Sequence, residues 1–183
     1  VSNTKSIITI HELSAETLSA VHRCNGAFTI DSRLVLHAED GVIRYTIEPV
    51  APPRQKRYPP ESDDYAAYLT SPDKTIFFAY CAGELAGQII LCKYWNGYAY
   101  IQDIAVDAAF RGRGVGQALM DRAVAWAKER ALPGLMLETQ DINVPACRFY
   151  ARYGFILGGF DIYLYRGLDP ATDEIALYWY LLL

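Results

Sequence analysis

The sequence predicts an α+β (mixed α/β) fold, a mostly antiparallel sheet flanked by helices, and three observations lead there. Three apolar runs, Thr75–Tyr80, Leu85–Tyr94 and Tyr98–Val106, are separated by turn signals at Ala82-Gly83 and Asn96-Gly97. Asn-Gly between apolar runs is a strong hairpin signal, so these runs read as a meander. After the third run the period changes: Val115, Leu119, Ala123, Trp126 and Ala127 share one helical stripe, with Asp121, Arg122, Lys128 and Glu129 mostly off it. Further strand and helix signals follow, and a meander joined through helices to more strands is not a doubly wound parallel sheet.

In chain order, Ser6–His11 alternates around β-branched residues and predicts a first strand. Ser14 is placed to cap a helix with Glu16 in its first turn and Leu18 and Val21 on one face. Arg33–His37 and Val42–Glu48 read as strands, and the proline-rich, basic stretch Pro49–Pro60 reads as a loop. Glu61, Asp63 and Asp64 precede a short helix at Tyr65–Leu69, capped by Ser62 or Asp63. The long helix stops at Pro133-Gly134, and Leu135–Thr139 is a strand. Asn143 then caps a helix with Pro145 in its first turn and its end near Gly154. Phe155–Ile162 and Ile175–Leu183 close the sheet. An exposed final strand would favour a homodimer.

With 183 residues and 52% hydrophobic content, the chain, 1–183, is expected to form a single domain with a real core. A formal charge of -4 argues against nucleic acid as the main partner and favours a small cationic one. Cys24, Cys81, Cys92 and Cys147 show no metal-ligand or disulfide spacing, so no metal is expected and the thiols suit a reducing cytoplasm. No apolar run approaches the ~20 residues of a membrane span, and the first residues lack a signal peptide's apolar core.

Arg111-Gly-Arg-Gly-Val-Gly116 lies between the third meander strand and the helix. Its glycines let the backbone bend and leave amides aimed outward at the positive end of the helix dipole, a cradle for phosphate. Arg111 and Arg113 add full charge, which suits a diphosphate. A P-loop nucleotidase would need Gly-Lys-Ser/Thr here, and none follows Gly116. A dinucleotide site would need glycine where Gln117 stands.

Arg111, Gly114 and Gly116, following Asp103–Val106, form an Arg-x-x-Gly-x-Gly pattern that resembles the acetyl-CoA signature of the GNAT N-acetyltransferases. The block from Asn143 through Tyr150 to Gly154-Phe155 resembles a second signature of that family, about 25 residues on. Within the family, Tyr94–Asn96, Leu137–Gln140, Asn143–Cys147, Gly158-Gly159 with Asp161, and Tyr178–Tyr180 are similar to the streptothricin (nourseothricin) acetyltransferases. The likeness runs from 75 to 183, which marks that part as an acetyl-CoA-binding core and 1–74 as a divergent substrate-side portion.

The resemblance implies direct transfer of acetyl from acetyl-CoA to an amine in a ternary complex. Ile104, Ala105 and Val106 would align the pantetheine by backbone pairing, and Gly112, Arg113, Gly114, Val115 and Gly116 would hold the diphosphate. Asn143 would contact the cofactor, and Tyr150 would protonate or steady the departing thiolate, although a tyrosine on this helical face also suits simple core packing. An amine of pKa near 10.4 is neutral in about one molecule in a thousand at pH 7, a penalty of ~4 kcal/mol unless a base takes its proton. Asp103 and Glu138 are the bases to consider; some family members carry glutamate at the position of Tyr100. Asp161, Asp141, Asp63 and Asp64 would attract a cationic substrate, and Trp95 would cover its aliphatic part. Acetylation of another amine (a polyamine, an aminoglycoside or a protein lysine) and a CoA-binding module without turnover remain the alternatives at this point.

Overall fold

The computed structural model describes residues 7–59 and 63–183. Ser6 of the expected first strand, and Glu61 and Ser62 of the acidic run, lie outside the described residues. In chain order the strands are β1 (Ile8–Glu12), β2 (Phe28–Glu39), β3 (Val42–Lys56), β4 (Lys74–Cys81), β5 (Glu84–Lys93), β6 (Ala99–Val106), β7 (Gly134–Gln140), β8 (Ile156–Asp161) and β9 (Ala176–Leu182). Among the described residues two α-helices, α1 (Val115–Glu129) and α2 (Val144–Tyr153), accompany them. The α+β class expected from the sequence is the one found. None of the described helices is long and apolar enough to cross a membrane. Two compact units interleave along the chain: Val1–Gly26, Tyr58–Leu135 and Leu183, as far as they are described, and Ala27–Arg57 with Met136–Leu182.

The first unit holds the antiparallel run β1-β4-β5-β6. Its turns are as read: Ala82 and Gly83 both take positive φ, +53° and +85°, the twist a two-residue hairpin requires. Alternation along the strands makes two faces. Ile76, Phe78 and Ile90 pack with Ala20 and Tyr68 on one face. Phe77 is turned the other way, under the Arg122 guanidinium of α1 at 4.4 Å. The predicted α1 stripe, Val115, Leu119, Ala123, Trp126 and Ala127, is buried throughout, joined by Met120. Gly87 lets the start of α1 lie close to β5: a Cβ there would stand 2.9 Å from the Ala105 carbonyl oxygen and 3.0 Å from both Val115 and Leu119.

Two expectations for this unit need correction. No helix is capped by Ser14; Leu18–Ala20 is a single 3-10 turn, and Ser14 instead closes a hydrogen-bonded loop with Thr17. Tyr65–Leu69 is also 3-10, with Asp64 at the cap position and no side-chain cap; the Asp63 carboxylate accepts from the Asp64 amide and the Tyr68 hydroxyl.

In the second unit β2 and β3 pair as a long antiparallel ribbon, so Pro49–Lys56 is strand and not loop. Each strand of a two-stranded ribbon has one unpaired edge, where a proline loses no ladder bond. The register jumps from Ser32↔Pro49 to Ile30↔Arg54, so a bulge opposite Asp31 takes up Pro52 and Pro53. Phe28 and Ile30 pack with Ile142, and Tyr45 meets Trp179 edge-on at 6.2 Å. Asn143 caps α2 as expected, its side-chain oxygen accepting from the Ala146 amide, and Gly154 ends the helix at φ +115°. Strand order is β7-β9-β8, so the final strand is flanked on both sides. The last strand therefore offers no open edge on which a homodimer could pair. Trp179 is buried on β9, while Tyr180 of the other face lies over Gly158, where a Cβ would be 2.6 Å from its ring.

Candidate active site

The cradle begins where β6 ends. Asp107 opens the turn by accepting the Ala109 and Asn25 amides, bonds that hold its carboxyl below the usual carboxylate range. Arg111 anchors the loop, donating to the carbonyls of Val106 and Asn25, each at 3.1 Å. Arg113 lies over the Phe110 ring, 5.5 Å from its centroid. Gly112 and Gly114 sit at φ +74° and +89°, the region that excludes most side chains, and Gly116 is already in the first turn of α1. Gly114 caps the helix without a side chain, so the first-turn amides are left for an acceptor from outside. Exposed backbone donors, two cationic side chains and no carboxylate between 111 and 116 fit a diphosphate. Ile104, Ala105 and Val106 lead into this loop, paired with Ile89, Gln88 and Gly87 and only partly buried.

Asp103 stands just before them. The pairing of β6 with β5 slips between Leu91↔Ile101 and Ile90↔Asp103, so Gln102 is an extra residue in a bulge. Two consecutive polar side chains consequently find partners among neighbouring residues. Gln102 is hydrogen-bonded to the Tyr68 hydroxyl at 2.8 Å, and Asp103 accepts from the Gln88 side-chain amide at 2.6 Å. The Asp103 side chain keeps 36% of its surface exposed, with His22 Nδ1 4.0 Å from its Oδ2. Burial raises the proton affinity of this carboxyl, with Gln88 and His22 pulling the other way. A raised carboxyl that still reaches solvent is a suitable proton acceptor.

In the second unit Tyr150 is buried on α2 among Phe149, Phe155 and Trp179, with ring centroids 5.7, 5.9 and 6.3 Å away. Glu138, on β7, accepts from the Tyr165 hydroxyl and is partly buried. Asp161 accepts from the amides of Tyr163 and Leu164 and so shapes the turn after β8. The sequence reading of Asp141 as an open acid for a cationic substrate is corrected: it is fully buried. Arg33 grips its Oδ2 through two nitrogens, at 2.8 and 2.6 Å, and the Ile175 amide donates to Oδ1. The carboxylate belongs to the fold.

The remaining expected substrate contacts are in the first unit. Trp95 is 86% exposed at the β5–β6 turn, 6.1 Å from Tyr94, which stacks on Tyr100 at 4.7 Å. Asp63 accepts from Tyr68 and lies 3.7 Å from Lys74; the Tyr68 bond lowers its proton affinity most. Asp64 is exposed. The sequence reading missed His22, Gln88, Arg33 and Tyr165. Gln88 alone carried a signal: a glutamine inside the apolar run Leu85–Leu91 is a polar group that must be satisfied if buried.

Residues 43–155 match the acetyltransferase (GNAT) family, and the chain belongs to that family. Its members use acetyl-CoA as acetyl donor. Streptothricin acetyltransferase A of Bacillus subtilis (strain 168) is 44% identical over 157 residues, 85% of this chain and 89% of that protein. A candidate streptothricin acetyltransferase from Bacillus anthracis str. Ames, solved in complex with acetyl coenzyme A, superposes with a TM-score of 0.89 at 40% identity, covering 98% of this chain and 99% of that one. The crystal structure of nourseothricin acetyltransferase gives a TM-score of 0.79 at 35% identity over 96% and 98% of the two chains.

Proposed function

We propose that the chain acetylates an amine of streptothricin-class antibiotics, on their β-lysine moiety, by direct transfer from acetyl-CoA in a ternary complex, and so confers resistance. The observation that carries the chemistry is the continuity of β6: one strand presents Asp103, a half-open carboxylate of raised proton affinity, and runs directly into the phosphate cradle. The substrate class rests on the streptothricin acetyltransferase at 44% identity.

Bound acetyl-CoA supplies an activated acetyl group. Asp103 takes the proton of the ammonium, freeing the nitrogen lone pair for the acetyl carbonyl carbon. Tyr150 donates its hydroxyl proton, or a hydrogen bond, to the departing sulfur. The backbone of Ile104 to Val106 aligns the pantetheine, Asn143 adds a contact near it, and Arg111 to Gly116 fix the diphosphate. Glu138 is the second base to test. Trp95, Asp161, Asp63 and Asp64 are assigned to the cationic substrate; Asp141 is not. The four free cysteines agree with a cytoplasmic location.

Thiol release from acetyl-CoA, measured with streptothricin beside spermidine, kanamycin and a lysine peptide at equal low micromolar concentrations, tests the assignment. Saturable release with streptothricin alone is expected. Release only with another amine overturns the substrate, and acetyl-CoA binding without release for any amine overturns the enzyme reading.

A further inference from the structure

Behind Asp103 a chain of polar groups crosses the apolar side of the first unit, and the roles proposed above leave it unused. Its centre is Gln88, which has no exposed surface although it sits in the middle of β5. A buried side-chain amide has to be satisfied at both ends, and Gln88 is. Its Oε1 accepts from the His22 backbone N–H at 2.7 Å, which fixes the orientation of the group. Its Nε2 therefore donates, to Asp103 Oδ2 at 2.6 Å and to His22 Nδ1 at 3.2 Å. Because Nδ1 accepts, the ring proton is on Nε2, which meets the Tyr65 hydroxyl at 2.7 Å. The Tyr65 ring also packs edge-on against the imidazole, centroid to centroid 5.2 Å. His22 itself takes a positive φ of 61°, an uncommon backbone state for a residue with a side chain, held in place by the same Gln88 bond.

We propose that His22 is a positioning residue of the proton acceptor: through Gln88 it fixes the Asp103 carboxylate for the amine, and its own protonation turns that carboxylate off. The inference rests on Asp103 being the base. With His22 neutral, Gln88 can give one proton to each neighbour and Asp103 is held in one orientation as an anion. A proton on Nδ1 removes the acceptor that Gln88 uses and sets a cation 4.0 Å from Asp103 Oδ2. The carboxylate is then ion-paired inside the protein and is a weaker base. Among the described residues, the titratable groups facing His22 are Asp103 from β6 and Tyr65 from the 3-10 turn; the buried Cys24 thiol, pushed up to about 11 chiefly by burial, and Asp107 border the same segment.

The test compares pH profiles of kcat and kcat/KM for the full chain, His22→Gln, His22→Phe and Asp103→Asn, with acetyl-CoA binding and thermal melting measured on each. His22→Phe is expected to lose about tenfold or more in kcat, with acetyl-CoA affinity within about twofold. His22→Gln keeps a neutral polar side chain, so it should recover part of kcat and carry its activity to lower pH than the parent. An acid limb in His22→Gln that coincides with the parent's, while Asp103→Asn changes the profile, overturns the role of His22. A profile untouched by Asp103→Asn overturns the base assignment instead. Should His22→Phe not fold by its melting curve, the pH shift of His22→Gln decides alone.

Discussion

Arg33 and Asp141, 108 residues apart in sequence, form a two-nitrogen ion pair whose carboxylate is wholly inside the protein. The same guanidinium reaches Asp173 at 2.7 Å. With the Leu34 amide on the Asp141 carbonyl oxygen and the Ile175 amide on its carboxylate, the pair ties β2 to the segments that flank α2 and β9.

Removing the cation should cost far more than a surface salt bridge would. Arg33→Ala leaves a buried carboxylate with only the Ile175 amide, and a loss of about 3 kcal/mol in unfolding free energy is expected. The loss should depend on pH with a definite sign. Burial raises the Asp141 carboxyl above its ordinary value and Arg33 opposes that rise, so without Arg33 the stability Asp141 lends is lost as pH rises through the further-raised value. Asp173 is lowered mainly by its bond to Arg33, so its contribution is present at neutral pH and lost on acidification. Both effects make the deficit of Arg33→Ala largest near pH 7 and smaller toward pH 4, checked by urea unfolding across that range.

Tyr150→Phe keeps a ring among Phe149, Phe155 and Trp179, so the melting temperature should move little. Turnover is expected to fall about a hundredfold with acetyl-CoA affinity retained. Equal turnover in steady-state assays would reduce Tyr150 to a packing residue.

Gly87→Ala places a methyl group against the Ala105 carbonyl oxygen, which cannot swing aside as a side chain does. A destabilisation of about 1–3 kcal/mol is expected. Because the same methyl meets Val115 and Leu119, the start of α1 should shift and acetyl-CoA binding should weaken, read by calorimetry at a temperature where the variant is folded.

Asp103→Asn removes the proton acceptor while keeping a group Gln88 can bond. The rate should fall about 10²-fold or more at pH 7 and then climb about tenfold per pH unit, following the neutral fraction of the amine. A flat profile would assign the proton to another group, with Glu138 next.

Trp95 is exposed enough that Trp95→Ala should leave the melting curve in place. Its expected effect is confined to a higher KM for the antibiotic, with the KM for acetyl-CoA unchanged.

The meander and the cradle were legible because their signals are local. Asn96-Gly97, Ala82-Gly83 and the closely spaced glycines of 112–116 state a backbone conformation within a few residues. The β2–β3 ribbon was half hidden, since Pro52 and Pro53 read as breakers until their place in a bulge on a two-stranded ribbon is known. Asp141 was misread because an acid's burial depends on a cation far away in sequence, and nothing near position 141 announces Arg33. Gln88 and His22 are 66 residues apart, and their meeting is a product of tertiary structure alone.

The bulge at Gln102 separates what holds β6 from what β6 does. Ile101 and Asp103 carry the register with β5, so the strand owes its place in the sheet to residues on either side of the irregularity. The added residue supplies a polar group to Tyr68 beside the one that Asp103 supplies to Gln88. Polar equipment at that spacing is denied to a regular strand, whose neighbours look in opposite directions. Position 102 is thus a spot where the enzyme's polar layout can drift while its hydrogen-bonded ladder endures.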